Sequence, residues 1–467
     1  MGRSRLHKAL HRLLRPDVQE EPPRDPALVG LLAGSRFAGL PPQRADLGPR
    51  RARRVMEFVL DLAEQMFAAG TDTRAIEVSV VAVAATYGLS PFEFTIAGRT
   101  VFVQYAPRDR EPQVMMKVAR TDDGRDLYRA VMIYRLVEEV VHRDAGLAGA
   151  ERRLRDIKRL RSRWPWWARL AGRTVLVSSI TLQADGTPSG VLFAMGVLVL
   201  VDRTGWALAR GGIPGYYATF VQASLVAGLG ILAFDLEVLS LRAYASATAA
   251  NLVLLLPVTS IVSLAQDAIT RFGTLASVRL INVVLISGAL FAGIATVGFI
   301  AGDVRVVGNA QNVRFVALPI GPALAAAAIG ACAGAVAAGG AARLLPFAAL
   351  TGTLSMAVRT LTQAHLSLPP ALAVLCAAAA LGVAASRLAP RLHVPPGALI
   401  TPAIGASLLP GPDMYRSLSA YTAGSSGAGR QLLSALIVTV AIGAGIVLGR
   451  ILGVKKELRE EQVPRDQ

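Results

Sequence analysis

Ten apolar segments follow one another between residues 168 and 452, and this succession constrains the fold more than any other feature of the sequence. They lie near residues 168–184, 188–202, 214–234, 244–265, 280–301, 315–338, 344–360, 369–386, 396–410 and 430–452. A helix needs about 20 mostly apolar residues to cross a hydrocarbon core, and several segments are shorter. With 53% hydrophobic residues and a mean hydropathy of +0.47, the chain is predicted to be a mostly α-helical polytopic membrane protein. The shorter spans are expected to be tilted or broken.

The more highly charged residues 53–165 are predicted to form a small α+β domain before the membrane part. Apolar residues at helical spacing indicate helices over 53–70 and 72–87. FEFTIAGRTVFVQY and QVMMKVAR predict three antiparallel strands, and further helices are expected over 127–144 and 148–161. Residues 1–52 form a basic tail, for which disorder and a short helix on a membrane surface are both open.

Basic and aromatic residues at the segment ends predict the orientation. RSRWPWWARLAGR (161–173) combines an interfacial Trp anchor with a cluster of Arg residues. In a ten-span arrangement most basic segment ends, together with the tail 454–467, fall on the side of the predicted domain. The sequence therefore predicts a multi-pass protein of the cell membrane with cytoplasmic N- and C-termini. The net charge of +17 accompanies no nucleic-acid-binding motif, so the expected partner is the lipid bilayer and not a nucleic acid.

The apolar part contains an internal duplication. GVLVLVDRTG (196–205) is similar to GTLSMAVRTL (352–361), and farther along Pro257 aligns with Pro410 and Arg279 with Arg430. Each half, 166–302 and 303–453, then holds five spans. Because five is odd, the second half must enter the membrane from the opposite side, which predicts two inverted repeats of five transmembrane helices. Such halves support alternating access, with the substrate held at interrupted helices, here marked by Pro257 and Pro410.

Three stretches carry a resemblance to a known family. They are MFAAGTDTRAIEVSVVAVAATYGL (66–89), VLLLPVTSIVSLAQDAITRFGTLASVR (253–279) and GALITPAIGASLLPGPDMYRSL (397–418). Over roughly residues 54–452 the chain resembles the threonine/serine exporters, which join a cytoplasmic N-terminal domain to ten spans. The resemblance implies a secondary exporter of small polar metabolites, threonine or serine first, driven by the proton gradient. A dicarboxylate exporter of the same fold is the alternative.

The candidate substrate-binding and coupling residues lie around the two breaks. They are Asn251, Pro257, Thr259, Ser260, Asp267, Arg279, Pro410, Gly411, Asp413, Tyr415 and Arg430. An ionisable group within a span is costly and indicates function, so Asp267 is assigned to proton coupling or to a substrate ammonium. Its alternative is an interfacial ion pair with Arg271 or Arg279. Arg279 and Arg430 either bind a substrate carboxylate or anchor their spans, and Asp413, Tyr415 and Arg416 either gate the exit or cap a span.

The sequence predicts neither a cofactor nor a metal site. Cys332 and Cys376 stand alone in apolar runs, and phosphate-loop, metal-helix and nucleophile-elbow motifs do not occur, so an enzyme is not expected. The expected partners are a small-molecule substrate, protons and lipid, and a homo-oligomer is left open. Two other classes stay open for the soluble domain: a membrane-anchored enzyme, and a regulatory domain that gates the transport path.

Overall fold

The computed structural model describes Leu32, Ser35, Phe37, Leu40 and residues 47–453, except 99, 108–110, 120–125, 144, 161, 302–312, 314, 410 and 423–427. It also leaves out the side chains of 413, 414, 418, 419, 421, 422, 428, 431 and 432. Most of the predicted basic tail, the C-terminal tail and the predicted site residue Pro410 are therefore outside the described residues, as is the side chain of Asp413.

The first part of the chain has the predicted α+β character. Helices α1 (Pro49–Ala68) and α2 (Thr73–Thr86) precede strands β1 (Phe92–Ala97), β2 (Thr100–Tyr105) and β3 (Gln113–Val118), and helices α3 (Leu127–Arg143) and α4 (Leu147–Arg159) follow. The strands form one antiparallel sheet in the order β1-β2-β3. Alternate residues of β2, Val101, Val103 and Tyr105, are buried, as its alternating pattern predicts.

The core of this N-terminal domain lies between its helices and one face of the sheet. Helix α1 buries Val55, Phe58, Val59 and Leu62 at helical spacing. Phe37 is fully buried in the same core, so part of the predicted tail packs against the domain.

The second part of the chain consists of helices connected by short loops. They are α5 (Trp166–Gln183), α6 (Pro188–Arg210), α7 (Gly215–Asp235), α8 (Leu241–Leu255), α9 (Val258–Ile269), α10 (Gly273–Ala301), α11 (Ile320–Ala337), α12 (Leu345–His365), α13 (Pro370–Leu392), α14 (Gly397–Ala403), α15 (Gly411–Thr422) and α16 (Ala428–Gly453). A 3₁₀ turn, Ala342–Leu344, precedes α12, and a π-helical turn, Ile404–Leu408, follows α14. The chain is therefore a mostly α-helical polytopic membrane protein.

Among the described residues, seven helices are long and apolar enough to span a membrane, or eight if the bent pair α8–α9 is one span. These eight coincide with eight of the ten predicted spans. The other two predicted spans correspond to α5, which carries Arg169 and Arg173, and to the interrupted run from α14 to α15. Charges in the first and the interruption in the second explain why neither is a long, purely apolar helix.

The N-terminal domain packs against one end of the helices, here called the domain side. The backbone N–H of Leu127 donates to the carbonyl of Ala338 over 3.0 Å, just after α11. The indole N–H of Trp164 donates to the carbonyl of Gly340 over 2.6 Å. Helix α5 begins at the domain side because it follows the domain directly, and α11 ends there. The opposite end of the helices is called the far side.

Helices that the predicted duplication pairs with each other, in residues 166–302 and 303–453, make similar contacts. Helix α7 packs along α10 in the first half, and α13 packs along α16 in the second. The approach of α13 to α16 needs small residues, because a Cβ atom at Gly449 would lie 2.1 Å from the carbonyl oxygen of Ala379. Helices α5 and α11, the first of each half, pack against each other and join the halves.

Candidate functional site

The run from α14 to α15 is interrupted at the stretch GASLLPG of the second half. Pro402 lies inside α14 and cannot donate the backbone hydrogen bond that a regular helix needs at its position. The π-helical turn Ile404–Leu408 follows, and α15 begins at Gly411 after the break. A π-helical turn leaves some carbonyl groups without their usual partners inside the helix, and such turns are frequent at functional sites.

Side chains from two other helices donate hydrogen bonds to these carbonyl groups. The guanidinium of Arg359, from α12, donates to the carbonyl oxygen of Ser407 over 2.8 Å. The amide of Gln183, at the end of α5, donates to the carbonyl oxygen of Ala406 over 2.8 Å. The break is thus stabilised by polar groups within the membrane part, where an unsatisfied carbonyl would cost several kcal/mol, about the loss of a hydrogen bond in hydrocarbon.

A cavity of about 110 Å³ lies at this break, and it is called the π-turn cavity below. Its polar lining includes Gln183, Arg359, Thr360, Gln363 and Ser407, and Gly411 also borders it. Of the described residues that line it, Arg359 is the one with an ionisable side chain. Because Gln183 ends α5 and Ala317 precedes α11, the cavity lies toward the far side.

Buried hydroxyl groups support the wall of the π-turn cavity. The hydroxyls of Ser355 and Ser407 are 2.6 Å apart, and Ser407 also donates to the carbonyl of Ala403 over 2.8 Å. The hydroxyl of Thr351 lies 3.3 Å from the carbonyl of Leu399 and donates to it. These contacts hold α12 against α14, which fixes the position of Arg359 relative to the π-helical turn.

A second and larger cavity, about 450 Å³, separates the N-terminal domain from the domain-side helix ends. This domain-side cavity is lined by charged and polar groups from both parts, among them Asp72, Thr73, Arg74, Gln266, Asp267 and Arg450. Asp72 accepts from the backbone N–H of Ala75 over 2.8 Å as the N-cap of α2, and its other oxygen lies 3.0 Å from the guanidinium of Arg450. This ion pair connects the domain to the last helix.

Asp267, on the last turn of α9, is 3% exposed and faces the domain-side cavity. Its carboxylate lies 2.7 Å from the guanidinium of Arg279 on α10, so the pair joins the two helices that follow the first break. Of the two partners weighed from the sequence, the structure pairs Asp267 with Arg279. The buried carboxylate of Asp267 therefore lies at the boundary between the membrane part and the N-terminal domain, where an ionisable group indicates function.

The structure distributes the other predicted site residues over several places. Asn251 is buried and donates to the carbonyls of Ala194, over 3.3 Å, and Ala247, over 3.0 Å. Pro257 lies at the 50° bend between α8 and α9, and neither it nor the nearby Thr259 and Ser260 lines any of the cavities described here.

Tyr415 and Arg430 lie apart from both cavities. The ring of Tyr415 is 3% exposed and makes edge contacts with Tyr244 and Phe315, at centroid distances of 6.3 and 5.8 Å. Arg416 stacks over Phe315 at 5.3 Å. Arg430, in the first turn of α16, is exposed. Of the predicted site residues, Asp267 and Arg279 therefore form a pair, and Gly411 borders the π-turn cavity.

Several polar and charged residues of the two cavities are not among the site residues that the sequence predicts, for example Gln183, Ser407, Thr73 and Arg450. Uncharged polar residues are common in membrane helices, where they also hold helices together, so Gln183 and Ser407 give no distinctive signal. Arg359 lies 14 residues into α12, inside a span, and a charge at such a position is a signal by which the sequence could have placed it in a site.

Two family models match the chain. One, described as "Putative threonine/serine exporter", covers residues 57–300. The other, described as "Threonine/Serine exporter, ThrE", covers residues 323–452. A curated protein of Mycobacterium tuberculosis (strain ATCC 25618 / H37Rv), named "Probable threonine/serine exporter", is 24% identical over 411 residues, 86% of this chain and 76% of that protein. No solved structure matches the chain.

Proposed function

Because the chain belongs to the threonine/serine exporter family, we propose that it exports a small hydroxylated amino acid, threonine or serine, and binds it in the π-turn cavity. The family is one of transporters, so the chain is a transporter and not an enzyme. The observation that carries the proposal is the placing of Arg359 beside the carbonyl groups of a π-helical turn in one small cavity of the membrane part.

The groups in the π-turn cavity match the two charges of an amino acid. The guanidinium of Arg359 suits a carboxylate, with which it can form two parallel hydrogen bonds. Carbonyl oxygens of the π-helical turn suit the ammonium, and the hydroxyl or amide groups of Ser407, Thr360 and Gln363 suit a side-chain hydroxyl. Interrupted membrane helices recognise substrates with such groups because their backbone is not fully used within the helix.

The size of the π-turn cavity also agrees with a small amino acid. A cavity needs about 10–15 Å³ of such volume to hold one water, so a cavity of about 110 Å³ is several times larger than a site for one water and is in the range of a small ligand.

The domain-side cavity is the proposed entrance for substrate from the cytoplasm. We place both termini in the cytoplasm of a cell-membrane protein, because basic residues border the spans on the domain side. The two halves, as inverted repeats, would exchange conformations so that the path opens alternately to either side, with Asp267 exchanging the proton that drives export. The matching contacts of α7 with α10 and of α13 with α16 support this symmetry.

The proposal is tested by measuring efflux of labelled threonine from proteoliposomes under a proton gradient, with wild type and Arg359→Gln. A charge-assisted hydrogen bond is worth about 1.5–3 kcal/mol, so we expect the efflux efficiency to fall about 10-fold or more. Arg430→Gln is the matched control, since it removes the same charge from an exposed position in α16. Arg359→Lys should recover part of the loss.

Wild-type efflux in Arg359→Gln would exclude the π-turn cavity as the carboxylate site. A loss in Arg430→Gln instead would favour the alternative in which Arg430 binds the substrate. If neither gradient-driven efflux nor exchange of threonine or serine is found with correctly inserted wild type, the substrate assignment is wrong.

A further inference from the structure

A third group of charged side chains lies away from both cavities, where α5, α6 and α7 meet at the domain side. These helices enclose a pocket of about 320 Å³. Its principal lining residues are Trp166, Arg169, Arg173, Asp202, Arg203 and Trp206, and it is called the arginine–tryptophan pocket below.

The pocket carries more positive than negative charge. Asp202, with a side chain only 8% exposed, pairs with Arg173 and, over 2.5 Å, with Arg203. Arg169 contributes a third guanidinium and donates from Nε to the carbonyl of Ala337 over 3.2 Å. Three guanidinium groups thus face one carboxylate, which leaves two positive charges in excess. A guanidinium has five N–H donors, so these contacts leave donors for an anion with several oxygens.

The pocket opens where the polar end of the helices meets the lipid-facing surface. Trp166 and Trp206 are 65% and 54% exposed, and Arg203 stacks over their rings at 5.0 and 5.9 Å. Indole rings prefer the level of the lipid headgroups. Val199 and Leu200 lie about two turns before Trp206 on α6. They are 36% and 53% exposed in a helix that is long and apolar enough to span a membrane. A ligand with an anionic head and apolar chains would contact both surfaces.

We propose that the arginine–tryptophan pocket binds the phosphate of an anionic phospholipid from the domain-side leaflet, with its acyl chains along α6. Basic pockets between membrane helices are suited to such headgroups, because the guanidinium groups supply charge and bidentate hydrogen bonds. A soluble phosphate compound would use the guanidinium groups but gain nothing from the exposed apolar surface of α6. The lipid is therefore the ligand that uses all of the lining.

The test is native mass spectrometry of the full chain in detergent, with phosphatidylglycerol and phosphatidylcholine of equal chain length and, separately, glycerol 3-phosphate. The main variant combines Arg173→Gln, Asp202→Asn and Arg203→Gln. It removes two positive charges and one negative charge, so that no buried carboxylate is left unpaired. Arg391→Gln, at an exposed site in the last turn of α13, changes the net charge by the same amount and is the matched control.

Wild type and Arg391→Gln should bind phosphatidylglycerol in preference to phosphatidylcholine, and the triple variant should lose about 10-fold or more in affinity for phosphatidylglycerol. Should the triple variant fold poorly, Arg203→Gln alone leaves Asp202 paired with Arg173 and should lose several-fold. Binding equal to wild type in these folded variants would overturn the proposal. Glycerol 3-phosphate bound as tightly as the lipid would also overturn it, since the site would then take a soluble phosphate.

Discussion

Variants of the ion pair between Asp267 and Arg279 can show whether the pair stabilises the protein, takes part in transport, or does both. Asp267 has a side chain 4% exposed, whereas 23% of the Arg279 side chain is exposed. Removal of one partner from a buried pair costs about 3–5 kcal/mol, because the other charge is left without compensation. Arg279→Gln leaves the more deeply buried charge, so we expect it to lower the free energy of unfolding by about 3 kcal/mol.

The reverse substitution should cost less. Asp267→Asn leaves Arg279, whose partly exposed guanidinium can reach water at the membrane boundary, and we expect a loss of about 1–2 kcal/mol. In the double variant the two amide side chains can form a neutral hydrogen bond, so its loss should be about 1 kcal/mol. The interaction energy from the double-mutant cycle should then have a magnitude of about 3–4 kcal/mol. Stability is measured by unfolding the purified full-length proteins in detergent.

Transport is measured on the same four proteins, wild type, the two single variants and the double variant, as efflux of labelled threonine with and without a proton gradient. If Asp267 carries the coupling proton, Asp267→Asn and the double variant should both lose gradient-driven efflux while exchange of labelled for unlabelled threonine continues. Recovery of stability without recovery of gradient-driven efflux is the expected result for the double variant. Gradient-driven efflux at the wild-type level in Asp267→Asn, or its return in the double variant, would refute the coupling role and leave a structural ion pair.

Two further predictions concern the N-terminal domain. Tyr87→Phe removes the hydrogen bond from the Tyr87 hydroxyl to the carbonyl of Ala145, 2.8 Å away, and should destabilise the domain by about 1 kcal/mol in urea unfolding near neutral pH. Burial raises the pKa of Tyr87 to about 12, above the unfolded value of 10.0, so wild-type stability should be full below pH 10 and fall as the pH rises from 10 to 12. The stability advantage of wild type over Tyr87→Phe should therefore shrink over this range; a constant difference would contradict this. Asp72→Asn keeps an N-cap for α2 but removes the charge facing Arg450, so the helix should stay stable while Asp72→Ala loses a further ~1 kcal/mol. A change of efflux rate in Asp72→Asn would support a regulatory contact between the domain and α16, and an unchanged rate would count against it.

The sequence predicts the positions of most helices well, because apolar runs flanked by Gly, Pro and Arg leave few alternatives in a membrane. It predicts their ends less well. Segment 188–202 continues as α6 to Arg210, since Arg203 and Arg210 stack on Trp206 and extend the helix beyond its apolar part. Hydropathy marks where lipid contact ends, which is not where the backbone hydrogen bonds end.

The sequence predicts the second break at Pro410, whereas in the structure the helix already changes to a π-helical turn at Ile404, after Pro402. A hydrogen-bond pattern that depends on Arg359 and Gln183 from other helices cannot be read from the local sequence. Site residues could be predicted where a single residue gives the signal, as the charge of Asp267 does within an apolar segment. The residues that enter the site through contacts between distant segments could not.

The choice between an amino acid and a dicarboxylate depends on the charge balance of the π-turn cavity. Arg359 supplies one positive charge among the described lining residues, and one substrate carboxylate can neutralise it. The ammonium of an amino acid then needs only acceptors, which the carbonyl groups of the π-helical turn provide. A dicarboxylate would bring a second negative charge to these same carbonyl oxygens, and an unpaired charge in a membrane interior is strongly unfavourable. The arrangement of one guanidinium beside the carbonyl groups of the π-helical turn therefore favours an amino acid over a dicarboxylate as the proposed substrate.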